Sequence, residues 1–142
     1  MSYFDACYIA KFYLAEPDSA RVIAFAQRQS NISCVLLGKA EVIAVFHRKF
    51  RENIVDSNGY HLLCAQFETD CASGLWQWHP VDETLLQLTT QCFRSLQATT
   101  YLRASDALHL SCVAQQGFHV VYTSDRHMIA AAPAFGLQAI SL

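Results

Sequence analysis

The sequence lacks a positive charge balance, paired cysteines, a membrane-length apolar run and a basic leader, and each absence removes a class of function. With ten Lys and Arg against 12 Asp and Glu, a formal charge of −2 and a pI near 6.3, no globally basic surface exists to bind nucleic acid non-specifically. Any nucleic-acid contact must be local or metal-assisted. The six cysteines, at positions 7, 34, 64, 71, 92 and 112, form no CxxC pair. Neither a zinc site nor a disulfide framework is therefore expected, and most of them should be small buried hydrophobes. The longest stretch without a charged residue, Ala107 to Ser124, is broken by Gln115, Gln116, Gly117 and two histidines, so no segment is expected to cross a bilayer. No basic region precedes an apolar stretch near Met1, which leads to a cytoplasmic expectation.

What the chain does have is apolar content. At 142 residues and 53% hydrophobic it is expected to form one domain, residues 1–142, with a substantial core. Surplus apolar surface points to a covering partner, either a second copy or another chain.

Short apolar runs alternate with longer periodic segments, the pattern of an α/β sheet. Strands are expected at Ser2 to Phe4, Ile32 to Leu37, Leu75 to His79, Val120 to Tyr122 and Leu137 to Ile140. Helices are expected from Asp5 to near Glu16-Pro17, from Asp18 or Ser19 onward, and over Lys39 to Glu52, Tyr60 to Asp70, Asp82 to Leu96, Ala104 to Gln116 and Asp125 to Ala132. Asp56-Ser57-Asn58-Gly59 reads as a turn.

Four carboxylates, Asp5, Glu41, Asp106 and Asp125, each follow an apolar run and stand near an expected helix start. An isolated acid there serves as a helix cap, because the first N–H groups of a helix lack partners. Four change the balance, since crossovers bring the C-terminal ends of parallel strands to one edge of the sheet. Converging carboxylates resist joint ionisation unless a cation offsets their charge. All-carboxylate ligation suits Mg²⁺ or Mn²⁺ better than zinc.

Four segments carry a family resemblance. They are Tyr3-Phe-Asp5-Ala-Cys-Tyr-Ile-Ala-Lys11-Phe-Tyr-Leu-Ala-Glu16-Pro, Ser33-Cys-Val-Leu-Leu-Gly-Lys-Ala-Glu41-Val, Leu102-Arg103-Ala-Ser-Asp106-Ala-Leu-His109-Leu, and Tyr122-Thr123-Ser124-Asp125-Arg. In this order they resemble the successive motifs of PIN-domain nucleases, and more narrowly the VapC-type toxins of toxin–antitoxin pairs. The resemblance implies a PIN-like three-layer sandwich, with a central mostly parallel sheet flanked by helices. It implies Asp5, Glu41 and Asp106 as the principal acids of a Mg²⁺ or Mn²⁺ site and Asp125 as a more variable fourth. It further implies endonucleolytic hydrolysis of RNA by a metal-activated water, leaving a 5′-phosphate and a 3′-hydroxyl, and restraint by a cognate antitoxin. A homodimer fits the apolar surplus. The chain departs from the pattern at Cys7, where PIN domains commonly carry Ser, Thr or Asn. A thiol is a weaker hydrogen-bond donor than a hydroxyl.

Around the acids, Lys11, Arg103, Thr123 and Arg126 are the candidate substrate contacts, with Lys39 a further flanking cation; phosphate recognition rests on such groups. His109 reads as a satisfied core histidine. Trp76 and Trp78 share a strand face and read as buried, with base stacking as the alternative. The competing function is a catalytically inactive PIN-like module that binds RNA or protein. A haloacid-dehalogenase-type phosphatase is disfavoured because Cys7 stands where that chemistry needs a second acid. A receiver domain is disfavoured because no lysine follows Lys49.

Overall fold

The computed structural model describes residues 1–142. Five short strands, β1 (Ser2–Phe4), β2 (Ile32–Val35), β3 (Trp76–His79), β4 (Val120–Tyr122) and β5 (Gln138–Ile140), form one sheet in the order β3-β2-β1-β4-β5, with every neighbouring pair parallel. Seven helices connect them: α1 (Ala6–Ala10), α2 (Ser19–Ala26), α3 (Gly38–Arg51), α4 (Ser57–Ser73), α5 (Glu83–Ser95), α6 (Ala104–Gln115) and α7 (Arg126–Ala131), the last continued by a 3-10 turn, Ala132–Phe135. Successive strand residues point to opposite faces. In β1, Tyr3 meets His109 of α6 while Phe4 stacks on Phe25 of α2, so helices cover both faces and make three layers. None of the helices is long and apolar enough to span a membrane.

β1 is central and wholly buried, as a parallel strand covered on both sides is, and its one buried serine hydroxyl, on Ser2, is bonded to Gln29. Its position matters most for the site. From β1 the chain winds outward to β2 and β3, then returns to β4 and β5 on the other side, so the direction reverses between β1 and β4. The C-terminal ends of strands at such a switch point bound a crevice.

Three elements differ from expectation by two residues or more. The first helix ends at Lys11, well short of Glu16, and its exit tightens into bonds from Phe12 N–H to the Ile9 carbonyl and from Tyr13 N–H to the Ala10 carbonyl. The two rings swing onto Trp76, whose indole N–H donates to the Tyr13 hydroxyl at 2.9 Å, and that hydroxyl donates to Asp70. Tertiary packing overrides local helix preference here. The fourth helix begins earlier than its apolar pattern suggests. Asp56 accepts the Gly59 N–H at 2.7 Å and caps it, so the Asp-Ser-Asn-Gly stretch forms the cap and first turn of a helix. Turns and caps favour the same residue types. The helix stops at Gly74, whose φ of 79° places it in the left-handed region that terminates helices. The second strand ends at Val35, two residues earlier than its apolar run.

Candidate active site

At the switch point, the residue after each central strand carries a polar side chain. Asp5 follows β1 and caps α1, its Oδ1 accepting the Tyr8 N–H at 2.8 Å. Thr123 follows β4 and, contrary to its expected place among the substrate contacts, is fully buried behind the cleft, where its hydroxyl donates to Asp5 Oδ2. The same Thr123 oxygen accepts the Asp125 N–H at 3.0 Å, and Asp125 Oδ1 then caps α7 through the N–H groups of His127 and Met128. One hydroxyl thus ties the first and fourth acids together.

The other two acids arrive in the first turns of α3 and α6, where the helix dipole favours negative charge. Glu41 accepts a 2.6 Å bond from His109 Nε2. Asp106 accepts Arg103 Nε at 2.9 Å, and the same guanidinium reaches Asp125 through Nη2 at 3.3 Å. Asp5, Glu41, Asp106 and Asp125 line a single cleft of about 240 Å³, together with Cys7, Arg48, Arg103, Ser105 and His109.

Electrostatics differ among the members. Burial raises the Asp5 carboxyl above its ordinary pKa, although the Thr123 and Tyr8 hydrogen bonds pull the other way. Burial also acts against the charge of Glu41, but the His109 hydrogen bond and charge outweigh it and leave that carboxyl lowered. His109 itself is 2% exposed. Burial opposes its charge, yet Cys34 and Glu41 together hold its pKa well above the ordinary value. Its second nitrogen, Nδ1, lies 3.1 Å from the Tyr3 hydroxyl, which accepts the Val35 N–H at 3.0 Å. The histidine is a satisfied core residue that also grips a site acid.

Carboxylate oxygens from four elements form a donor set of the chemistry that hard divalent cations take. As they stand, no three acidic, His or Cys side chains are gathered closely enough to grip an ion. Arg103 supplies the counter-charge between Asp106 and Asp125 instead.

Other sequence candidates fall differently. Lys11 is not at the cleft: its ammonium pairs with Asp18 and lies 5.0 Å from the centre of the Tyr8 ring, away from the four acids. Arg126 does not line the cleft either; its guanidinium faces outward beside the His127 ring. Trp76 is buried against Phe12, and Trp78 is packed on Phe67 beneath the Lys39 ammonium, so neither indole is a free platform. Glu16 pairs with Lys49. Arg48 was missed, although it stands seven residues after Glu41 on the same helix, two turns along one face.

Cys7 was expected to be buried and instead opens onto the cleft. Desolvation of its sulfur, reinforced by the Asp5 charge, pushes its thiol up to about 12. A thiol is reactive only as thiolate. Iodoacetamide at pH 8 should therefore label Cys7 at least a hundredfold more slowly than free cysteine, as read by peptide mass spectrometry over time.

No family model matches the sequence, and no curated protein does. Solved structures do resemble the fold. The sarcin–ricin loop cleaving toxin VapC20 of Mycobacterium tuberculosis aligns with a TM-score of 0.74 over 92% of this chain and 95% of its own, at 12% identity. FitAcB of Neisseria gonorrhoeae gives 0.72 over 99% and 96%, at 18% identity. A toxin–antitoxin complex from Klebsiella pneumoniae gives 0.62 over 99% and 96%, at 13% identity. At these identities the likeness speaks for the backbone rather than the side chains. The wholly parallel five-stranded sheet, its strand order and its two helical layers give this chain the fold of the VapC-type PIN-domain toxins.

Proposed function

We propose that the chain is a Mg²⁺- or Mn²⁺-dependent endoribonuclease, the toxin of a toxin–antitoxin pair. One observation carries this reading: Asp5, Glu41, Asp106 and Asp125, supplied by four separate elements, open on one cleft at the switch point of the sheet. Toxins among the structural neighbours support it, one of them RNA-cleaving and one held in a complex with its antitoxin. By the same likeness the partner here is a cognate antitoxin, and the reading carries with it a homodimer acting in the cytoplasm.

A divalent cation held by Asp5, Glu41 and Asp106, with Asp125 in support, supplies a Lewis acid for phosphoryl oxygens and lowers the pKa of water. The protein's own groups do the rest. Thr123 and the Tyr8 N–H hold both oxygens of Asp5 in place, and His109 fixes Glu41. Arg103 and Arg48 place positive charge against the approaching phosphates, with Arg103 exchanging its carboxylates for phosphate oxygens. Cys7 stays a neutral thiol and forms no covalent bond to substrate.

The Arg103 guanidinium, seated on two of the acids, favours a second reading, a catalytically inactive RNA- or protein-binding module. One experiment separates the two. Purified protein incubated with structured RNA in Mg²⁺ or Mn²⁺ is expected to give fragments bearing 5′-phosphates. EDTA should prevent cleavage, and Asp106→Asn should lower it at least a hundredfold. Intact RNA under all conditions, with no Mn²⁺ bound in titration calorimetry, would overturn the nuclease and leave the module.

A further inference from the structure

The loop between α5 and α6 places an aromatic ring where the nuclease reading leaves a role unfilled. Leu96 to Arg103 contains no helix or strand, and Arg103 enters α6 in the extended region, at φ −82° and ψ 157°. Leu102 is buried, whereas Tyr101 and Arg103 on either side of it are exposed. Arg103 reaches into the cleft to Asp106 and Asp125, and the Tyr101 ring, just outside the cleft lining, meets His127, two residues after Asp125.

Tyr101 is 61% exposed, whereas the other five tyrosines are buried or half-buried. Its ring meets His127 at a centroid distance of 4.7 Å and an interplanar angle of 64°. An edge-to-face contact of this kind covers at most one of the rings' faces, so a flat group can still stack. The His127 backbone N–H donates to Asp125 Oδ1 at 2.7 Å, which fixes the main chain carrying that ring beside the fourth acid. The pair therefore stands next to Asp125, with Arg103 two residues along the chain from Tyr101. Guanidinium, imidazole and phenol together match a phosphate flanked by a nucleobase, whereas a protein-docking face would be a broader apolar patch.

We propose that Tyr101, braced by His127, is a base-stacking residue that receives the nucleobase beside the scissile phosphate and sets where a single-stranded RNA segment is cut. This rests on the nuclease reading for the cut, but not for the stacking. Aromatic stacking is sequence-tolerant but favours some bases over others, so the platform would impose a preference at one flanking nucleotide.

The test uses Tyr101→Ala and Tyr101→Phe in the full chain, with circular dichroism and thermal melting to verify the fold. Tyr101→Ala is expected to raise KM for RNA about tenfold or more with kcat within about twofold, and to flatten the base preference at one position in sequenced cleavage ends. Tyr101→Phe should stay near wild type. In parallel, an oligoribonucleotide carrying 2-aminopurine is titrated in EDTA, where no metal-dependent cleavage can occur. The wild-type protein and Tyr101→Phe should quench its fluorescence, and Tyr101→Ala should lose both the quench and about tenfold in affinity.

Quenching that depends on Tyr101 without any cleavage in Mg²⁺ upholds the platform and overturns the nuclease reading. Cleavage with KM, end preference and quench all unchanged in Tyr101→Ala overturns the platform and leaves the nuclease. An effect of Tyr101→Ala confined to oligomeric state or protein binding, or a wild-type protein that leaves the oligomer unquenched, also overturns it.

Discussion

Asp5→Asn should lose RNA cleavage at least a hundredfold while making the metal-free protein more stable. The two effects have one origin. A carboxylate that is buried and shifted upward destabilises the fold whenever it is ionised, and the same uncompensated charge is what attracts a cation. Asparagine keeps the cap, since its side-chain oxygen can still accept the Tyr8 N–H, and its amide can donate to Thr123. What disappears is the charge.

The pH dependence follows from the sign of the shift. Below about pH 4, where aspartate in the unfolded chain is protonated, the wild type and Asp5→Asn should differ little in the Asp5 contribution. As pH rises, the unfolded chain releases the proton before the folded one does, so wild-type stability falls relative to the variant. The gap grows until pH passes the raised pKa of the folded state, then stays constant. Saturating Mn²⁺ should raise the wild-type Tm by mass action and leave Asp5→Asn nearly unmoved. Thermal melts from pH 4 to 8, with and without Mn²⁺, read all of this. A variant no more stable than wild type at pH 8 would show that Asp5 carries no uncompensated charge.

His109→Ala should have the largest effect on stability of any polar substitution near the cleft, about 2–4 kcal/mol from the lost packing and the stranded polar partners. The ring is buried among Tyr3, Cys34 and Glu41, and removing it takes away the acceptor of the Tyr3 hydroxyl proton, leaving that hydroxyl only the Val35 N–H. Nε2 carries a proton whether the imidazole is neutral with that tautomer or charged, so the bond to Glu41 persists in both states. Without it, Glu41 is free to leave its position, and Mn²⁺ affinity should drop about tenfold or more, within the range seen when a supporting group behind a ligand is lost. His109→Gln, which keeps a donor but fills less space, should recover part of the metal affinity while remaining destabilised. Calorimetric Mn²⁺ titration and urea unfolding separate the two losses. Unchanged Mn²⁺ binding in a folded His109→Ala protein would remove Glu41 from the site or His109 from its support.

Much of this was legible because capping and clustering turned out to be one arrangement. Asp5 and Asp125 both cap their helices and both face the cleft, so what looked like rival accounts of an acid at a helix start describe the same side chain. Strands β1 and β4 match their expected limits, since short apolar segments between turn signals leave little freedom of boundary. Directions of long side chains were not legible. Lys11 sits six residues from Asp5, but its charge is spent on Asp18, a partner supplied by the unexpected unwinding after α1. Arg48 enters through helix periodicity from Glu41, a spacing that has meaning only once α3 is known to run past the cleft. Tyr101 gave no signal because its role depends on which side of an irregular loop faces the acids.

The bond from Thr123 to Asp5 joins residues 118 apart in sequence, and it fixes when the cleft can exist during synthesis. At about 5–20 residues per second, a ribosome that has made Asp5 needs roughly 6–24 s more to reach Thr123, plus the time for that residue to clear the exit tunnel. Until then β1 lacks its β4 neighbour, and Asp5 lacks the hydroxyl that holds it. Interrupted translation yields fragments with the early acids and no floor beneath them. The order of the elements works as a delay: the cleft forms only after Thr123 and Asp125 have been made.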